Sequence, residues 1–202
     1  PVATASRVRV EDVLLAALYL CVREWTEEAS VLVEMESHGR EDVSGDMDLS
    51  RTVGWFTAAY PVLLRGDGND ASQVSALKSV KEALRSVPRR GVGYGVLRYL
   101  SDDSSVRSSL KVEPEITFNF LGSRVTEDAS SSQAASTGQP ALVSPSDDGM
   151  GPVISPRNRR VRLVEVNAEI VDGALHAELT MSGDVFRAST ADRVAGLFQS
   201  NL

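Results

Sequence analysis

VLVEMESHGREDVSGDMDLSRTVGWFTAAYP, residues 31 to 61, is the stretch on which the fold turns. It opens on Val31-Leu32-Val33, a β-branched and apolar run that reads as a buried strand, and it closes on the aromatic run Gly54-Trp55-Phe56. Between them Arg40 to Leu49 is acidic and contains glycine, which predicts a loop. Glu34, Glu36 and His38 fall on one face of the strand's end, because side chains two apart in an extended segment point the same way. A carboxylate and an imidazole leaving a strand beside large aromatics can form a buried acid/base site. The same spacing also fits a carboxylate at Glu36 that caps the loop through Arg40.

Working outward, Val10, Leu14, Ala17, Leu18, Cys21 and Trp25 recur every three or four positions and predict a helix with one buried stripe. Glu11 and Asp12 suit the positive end of its dipole. Thr26 to Ala29 reads as the turn into the strand. A second helix is expected to start with a capping box at Asp70 and Gln73 and to run to Pro88, with Val74, Leu77, Val80, Leu84 and Val87 inward. GVGYG, residues 91 to 95, lacks the spacing of a dinucleotide or phosphate loop and reads as a bend that turns Tyr94 and Leu97 inward. Pro114 to Gly122 alternates as a strand, with Ile116, Phe118 and Phe120 on one face and Asn119 on the other. Thr126 to Arg160, rich in Ser, Pro, Gly and Asp, predicts a long surface loop.

Asp172-Gly173 between two alternating runs is a strong hairpin signal, and it pairs Ile170 with Leu175, Ala168 with Ala177 and Val166 with Leu179. Glu169 then faces His176 on the outer side, which makes His176 a cross-strand partner and not a catalyst. Ser189 to Asp192 reads as the capping box of a closing helix that buries Val194, Leu197 and Phe198. Together these elements predict one α/β domain over residues 1–202, a mainly hairpin-connected sheet covered by helices.

A net charge of −7 argues against a nucleic-acid partner, and the short basic cluster Arg157 to Arg162 reads as a solvated loop edge. One cysteine, Cys21, excludes a disulfide framework and reads as a small buried apolar side chain in a reducing, cytoplasmic setting. Asp46 and Asp48 fall short of a cation-binding pattern. The apolar run Val13 to Val22 follows Arg7 and Arg9 as in a signal peptide, yet Glu11 and Asp12 interrupt it and it is too short to span a bilayer. No membrane association is expected.

ESHGRE (Glu36 to Glu41) and RTVGWFTAAYP (Arg51 to Pro61) resemble two signature motifs of the epimerization domains of non-ribosomal peptide synthetases, EGHGRE and RTVGWFT-x-x-YP. VKEALRSVPRRGVGYGVLRYL (Val80 to Leu100) and PEITFNFLGS (Pro114 to Ser123) resemble two more, in family order. The resemblance implies a chloramphenicol-acetyltransferase-like fold of two halves with the active site between them, of which this chain is the second. It implies inversion of the α-carbon of an aminoacyl or peptidyl thioester, from L to D. The substrate rides on the phosphopantetheine of a peptidyl carrier protein, so no cofactor is expected to bind the chain directly.

By that resemblance Glu36 takes the place of the catalytic acid/base and Asn119 that of the active-site asparagine of FNYLG, with His38, Arg40, Trp55, Phe56, Tyr94 and Phe120 as possible lining. Ser37 stands where the family has glycine and Phe120 where it has tyrosine. The family's HHxxxDG motif does not occur, and the chain begins at Pro1. The expectation is therefore a piece of a longer domain, inactive alone and partnered by the HHxxxDG-bearing first half, with an exposed wall whose apolar patch predicts self-association or a partner. A condensation domain half, which would join two thioester-bound groups, and a non-catalytic carrier-docking module are the rival readings.

Overall fold

A computed structural model describes residues 8–41, 45, 48–66, 72–124, 155 and 158–202. Strands β1 (Ser30–Ser37), β2 (Ala58–Arg65), β3 (Ile116–Arg124), β4 (Val164–Val171) and β5 (Ala174–Met181) form one five-stranded sheet in the order β2-β1-β3-β4-β5. β1 pairs antiparallel with β2, and β4 with β5, but β1–β3 and β3–β4 are parallel. The expectation of a mainly hairpin-connected sheet therefore holds only at its two flanks. Parallel neighbours need long crossovers, and here helical segments between β2 and β3 supply one of them.

Helix α1 (Val10–Thr26) is the spine of the core. The sequence predicts one buried stripe, yet every residue from Leu14 to Val22 is buried, because the sheet takes one side while α2 (Gln73–Ser86) and, at the chain's end, α5 (Ala188–Ser200) take the other. Its start is fixed by a reciprocal cap: the Arg9 backbone N–H donates to Asp12 Oδ2 at 2.9 Å, and the Arg9 guanidinium holds Asp12 Oδ1 at 2.8 Å. Asp12 is thereby a buried carboxylate with its charge matched. The inward side of the sheet is apolar, with Val33, Met35, Phe118 and Val166 wholly buried beneath these helices.

Two predicted helix starts are displaced. α2 is capped by Ser72, whose Oγ accepts from the Ser75 N–H at 3.2 Å, and Asp70 lies outside the described residues. α5 begins at Ala188 after Arg187, which makes no side-chain cap, so Ser189 and Asp192 sit inside the helix and form no box. After α2 come a tight turn (Pro88–Gly91), α3 (Val92–Gly95), a wider turn (Val96–Leu100) and α4 (Ser104–Ser109). Tyr94 packs against the core and its hydroxyl donates to Leu110 O at 2.8 Å, whereas Leu97, expected inward, is 50% exposed.

The Asp172–Gly173 hairpin has all three predicted pairs in register, and both turn residues have positive φ, as a type I′ turn requires. Glu169 does lie opposite His176, but its carboxylate is taken by Arg124 at 2.9 and 3.2 Å. Nearly all of the predicted loop at 126–160 lies outside the described residues, as does Asp46. Among the described residues no helix is long and apolar enough to cross a membrane.

Candidate active site

The site is built at the carboxyl end of β1. The parallel β1–β3 ladder ends at Met35–Phe118, so Glu36 and Asn119 are the first residues beyond it, on the sheet face turned away from α1. Crevices at the carboxyl ends of parallel strands are where a sheet most readily opens to a ligand. Here a cleft of about 850 Å³ is lined by Glu36, Ser37, His38, Asn119 and Phe120 together with Lys81, Arg85, Arg89 and Arg90.

Glu36 forms no hydrogen bond or ion pair with a described residue, and burial raises its pKa above the usual carboxylate range, helped by the negative charges of Glu34 and Glu165. Both neighbours are matched. Glu34 Oε1 accepts from Arg162 Nε at 3.0 Å and from Thr117 Oγ1 at 3.2 Å, while its Oε2 meets Arg162 Nη2 at 2.5 Å. Glu165 meets Arg160 Nη1 at 3.2 Å. Thus two arginines of the predicted solvated basic cluster are ion-paired, and Arg162 is only 18% exposed. The Asn119 side chain likewise has no hydrogen-bond partner among the described residues, which leaves its amide open to a ligand.

The loop beyond Glu36 is held by a glycine and an arginine. Gly39 has φ +62°, and a Cβ there would lie 1.6 Å from the Phe56 carbonyl oxygen, so only glycine allows the two backbones to meet. Arg40 Nη1 donates to the Leu49 and Thr52 carbonyls at 2.6 and 2.8 Å, and the guanidinium lies 4.4 Å from the centre of the Phe56 ring. Arg40 is thus spent on the loop and does not cap Glu36, which corrects the reading that paired them. His38 Nδ1 accepts the Arg40 N–H at 3.0 Å, and its Nε2 lies 3.4 Å from Glu41, which Arg90 also meets at 3.4 Å.

Of the residues predicted for the site, Glu36, His38, Asn119 and Phe120 line one cleft. Arg40 and Phe56 brace the loop behind it, Tyr94 does not line it, and Trp55 is 93% exposed. Sequence reasoning missed three features. The Ser37 hydroxyl donates to the Arg90 carbonyl at 3.1 Å. That carbonyl belongs to a left-handed turn in which Arg89 and Arg90 have φ +46° and +48°. Gly91 continues the turn at φ +79°, where a Cβ would lie 2.0 Å from the Tyr60 ring. Only the double-arginine-glycine string hinted at this turn. Nothing in the spacing of Glu34 and Arg162, 128 residues apart, announced their pairing.

The condensation-domain family model matches residues 1–202. A linear gramicidin synthase of Brevibacillus parabrevis is 38% identical over 94% of this chain, and tyrocidine synthase 2 of the same organism is 35% identical over 98%. The solved epimerization domain from the third module of tyrocidine synthetase B is 33% identical over 99% of this chain, with a TM-score of 0.81. A condensation domain of the CDA synthetase shares the fold at 14% identity and a TM-score of 0.58. The chain belongs to the condensation-domain superfamily of non-ribosomal peptide synthetases. It spans 4% and 5% of the two synthases and 42% of the solved epimerization domain.

Proposed function

We propose that this chain supplies one wall of an epimerization site, in which Glu36 moves the α-proton of an aminoacyl or peptidyl thioester presented by a carrier protein. The observation that carries the reading is the state of Glu36: it has no partner among the described residues, whereas its neighbours Glu34 and Glu165 are held by arginines. A partly buried carboxyl without a counter-charge can hold a proton and release it, as proton transfer at a weakly acidic carbon demands. The α C–H bond breaks and its proton passes to the Glu36 carboxylate, while the electron pair moves into the thioester as an enolate. In this reading the Asn119 amide donates to the developing oxyanion. Reprotonation from the opposite face gives the inverted centre.

Support comes from the 33% identity to a solved epimerization domain and from the ESHGRE and RTVGWFT wording. The partners in this reading are the carrier protein and an HHxxxDG-bearing first half, whose histidine would act on the other face. Phosphopantetheine enters as part of the carrier-bound substrate. The name of the matching family favours a second reading, in which the same cleft serves peptide-bond formation.

The test supplies the HHxxxDG-bearing half of the parent domain, covalently or in trans, with a carrier loaded with an L-aminoacyl thioester in deuterated water. Deuterium entry at the α-carbon together with D-isomer formation, both lost in Glu36→Gln, is the expected result. A folded complex that binds the carrier without exchange would refute the proposal, and a peptide product from two loaded carriers would establish condensation instead.

A further inference from the structure

The sheet face that carries Glu36 also carries a more elaborate arrangement than acid/base chemistry alone requires. Glu34 and Glu36 lie two apart on β1 and point the same way, about 7 Å apart by strand geometry. Glu34 is gripped by both edges of the Arg162 guanidinium and by the Thr117 hydroxyl, donors brought from 128 and 83 residues away. The position of its carboxylate is therefore a fixture of the site.

We infer that Glu34 is a positioning residue for Glu36: Arg162 and Thr117 clamp its carboxylate on the same face of β1, so that the Glu34–Arg162 pair sets the field in which the reacting carboxyl takes up and returns its proton. The inference rests on the acid/base reading of Glu36, but its test needs no turnover. Other charged groups also surround Glu36. Glu165 on β4 is tied to Arg160, Arg9 at the start of α1 to Glu11 and Asp12, and both His38 and Arg90 lie against Glu41. Lys81, Arg85 and Arg89 line the same cleft. Burial acts on Glu36 most strongly, and among the acids Glu34 acts ahead of Glu165.

Arg162 completes the arrangement and gives it a sign. It screens Glu34 in part, so removing one partner or the other moves Glu36 in opposite directions. Glu34→Gln deletes the negative charge and leaves an uncompensated arginine, which favours the ionised form of Glu36. Arg162→Met leaves Glu34 unscreened and favours the protonated form. A purely structural clamp predicts the reverse for the second variant: either change would loosen the strand end, expose Glu36 and return it toward ordinary behaviour.

The experiment is a carbon-13 titration of the glutamate carboxyls in this chain, with Glu36 assigned by its loss in Glu36→Gln. The midpoint of Glu36 should fall by roughly one pH unit in Glu34→Gln and rise in Arg162→Met. Arg162→Lys, which keeps the charge and gives up the fork, should leave it within about 0.3 pH unit of the unaltered chain, and it decides the matter if Arg162→Met does not fold. A midpoint that falls in the arginine variants as well, or does not move in Glu34→Gln, overturns the inference. In the complemented enzyme the acid limb of the exchange rate should follow the same signs. Shifted titrations without any exchange would leave the electrostatic role standing and remove the epimerase reading.

Discussion

At the scale of single residues, the motif ESHGRE divides its labour among neighbours. Glu36 faces the cleft, Ser37 ties the strand end to the left-handed turn at Arg90, Gly39 lets Phe56 approach and Arg40 closes the loop. Gly39→Ala should therefore destabilise the chain by about 2–4 kcal/mol in denaturant titration, since positive φ and a clash with backbone act together. A smaller loss, below about 0.5 kcal/mol, would mean that the loop does not sit against Phe56 as described. Glu36 and Asn119 were legible as candidates because both belong to recognisable motifs and alternate on strands. The role of Ser37 was not, because its acceptor is a carbonyl 53 residues away in a turn whose left-handed backbone no propensity announces at arginine.

At the scale of elements, periodicity found helices and strands but misplaced their ends, where one hydrogen bond decides. The Ser189–Asp192 box fails because the chain turns helical at Ala188, ahead of the expected cap. That leaves Arg187 as an N-cap without a capping bond, at the end of a helix that disfavours positive charge. Arg187→Ser should then stabilise the chain by about 0.5–1 kcal/mol, measured by thermal or urea unfolding; no gain would place the start of α5 elsewhere. The hairpin was readable to the residue, since Asp172-Gly173 and the alternation on both sides specify the same register. α1 was readable as a helix but not as one buried all round, because its burial depends on where α2 and α5 pack.

At the scale of the whole molecule, the core is closed by contacts between the two ends of the chain. Cys21 on α1 is wholly buried, its thiol pushed up to about 11 mainly by burial, and Sγ donates to the Val194 carbonyl of α5 at 3.3 Å. Alkylation of Cys21 should accordingly proceed only as fast as α5 undocks or the chain unfolds, with a rate that climbs in step with denaturant-induced opening; rapid labelling of the folded chain would contradict this packing. The parallel centre of the sheet was invisible in the sequence for a related reason: which distant strands become neighbours is settled by packing over the whole chain. That arrangement also bears on the order in which the chain assembles. The hairpin closes over two residues, whereas β1 joins β3 across a separation of 83 in the Glu34–Thr117 pair, so the central seam is expected to form late. Since the cleft straddles that seam, an incompletely folded chain carries at position 36 an ordinary, hydrated glutamate, and the cleft around it exists only once the seam has closed.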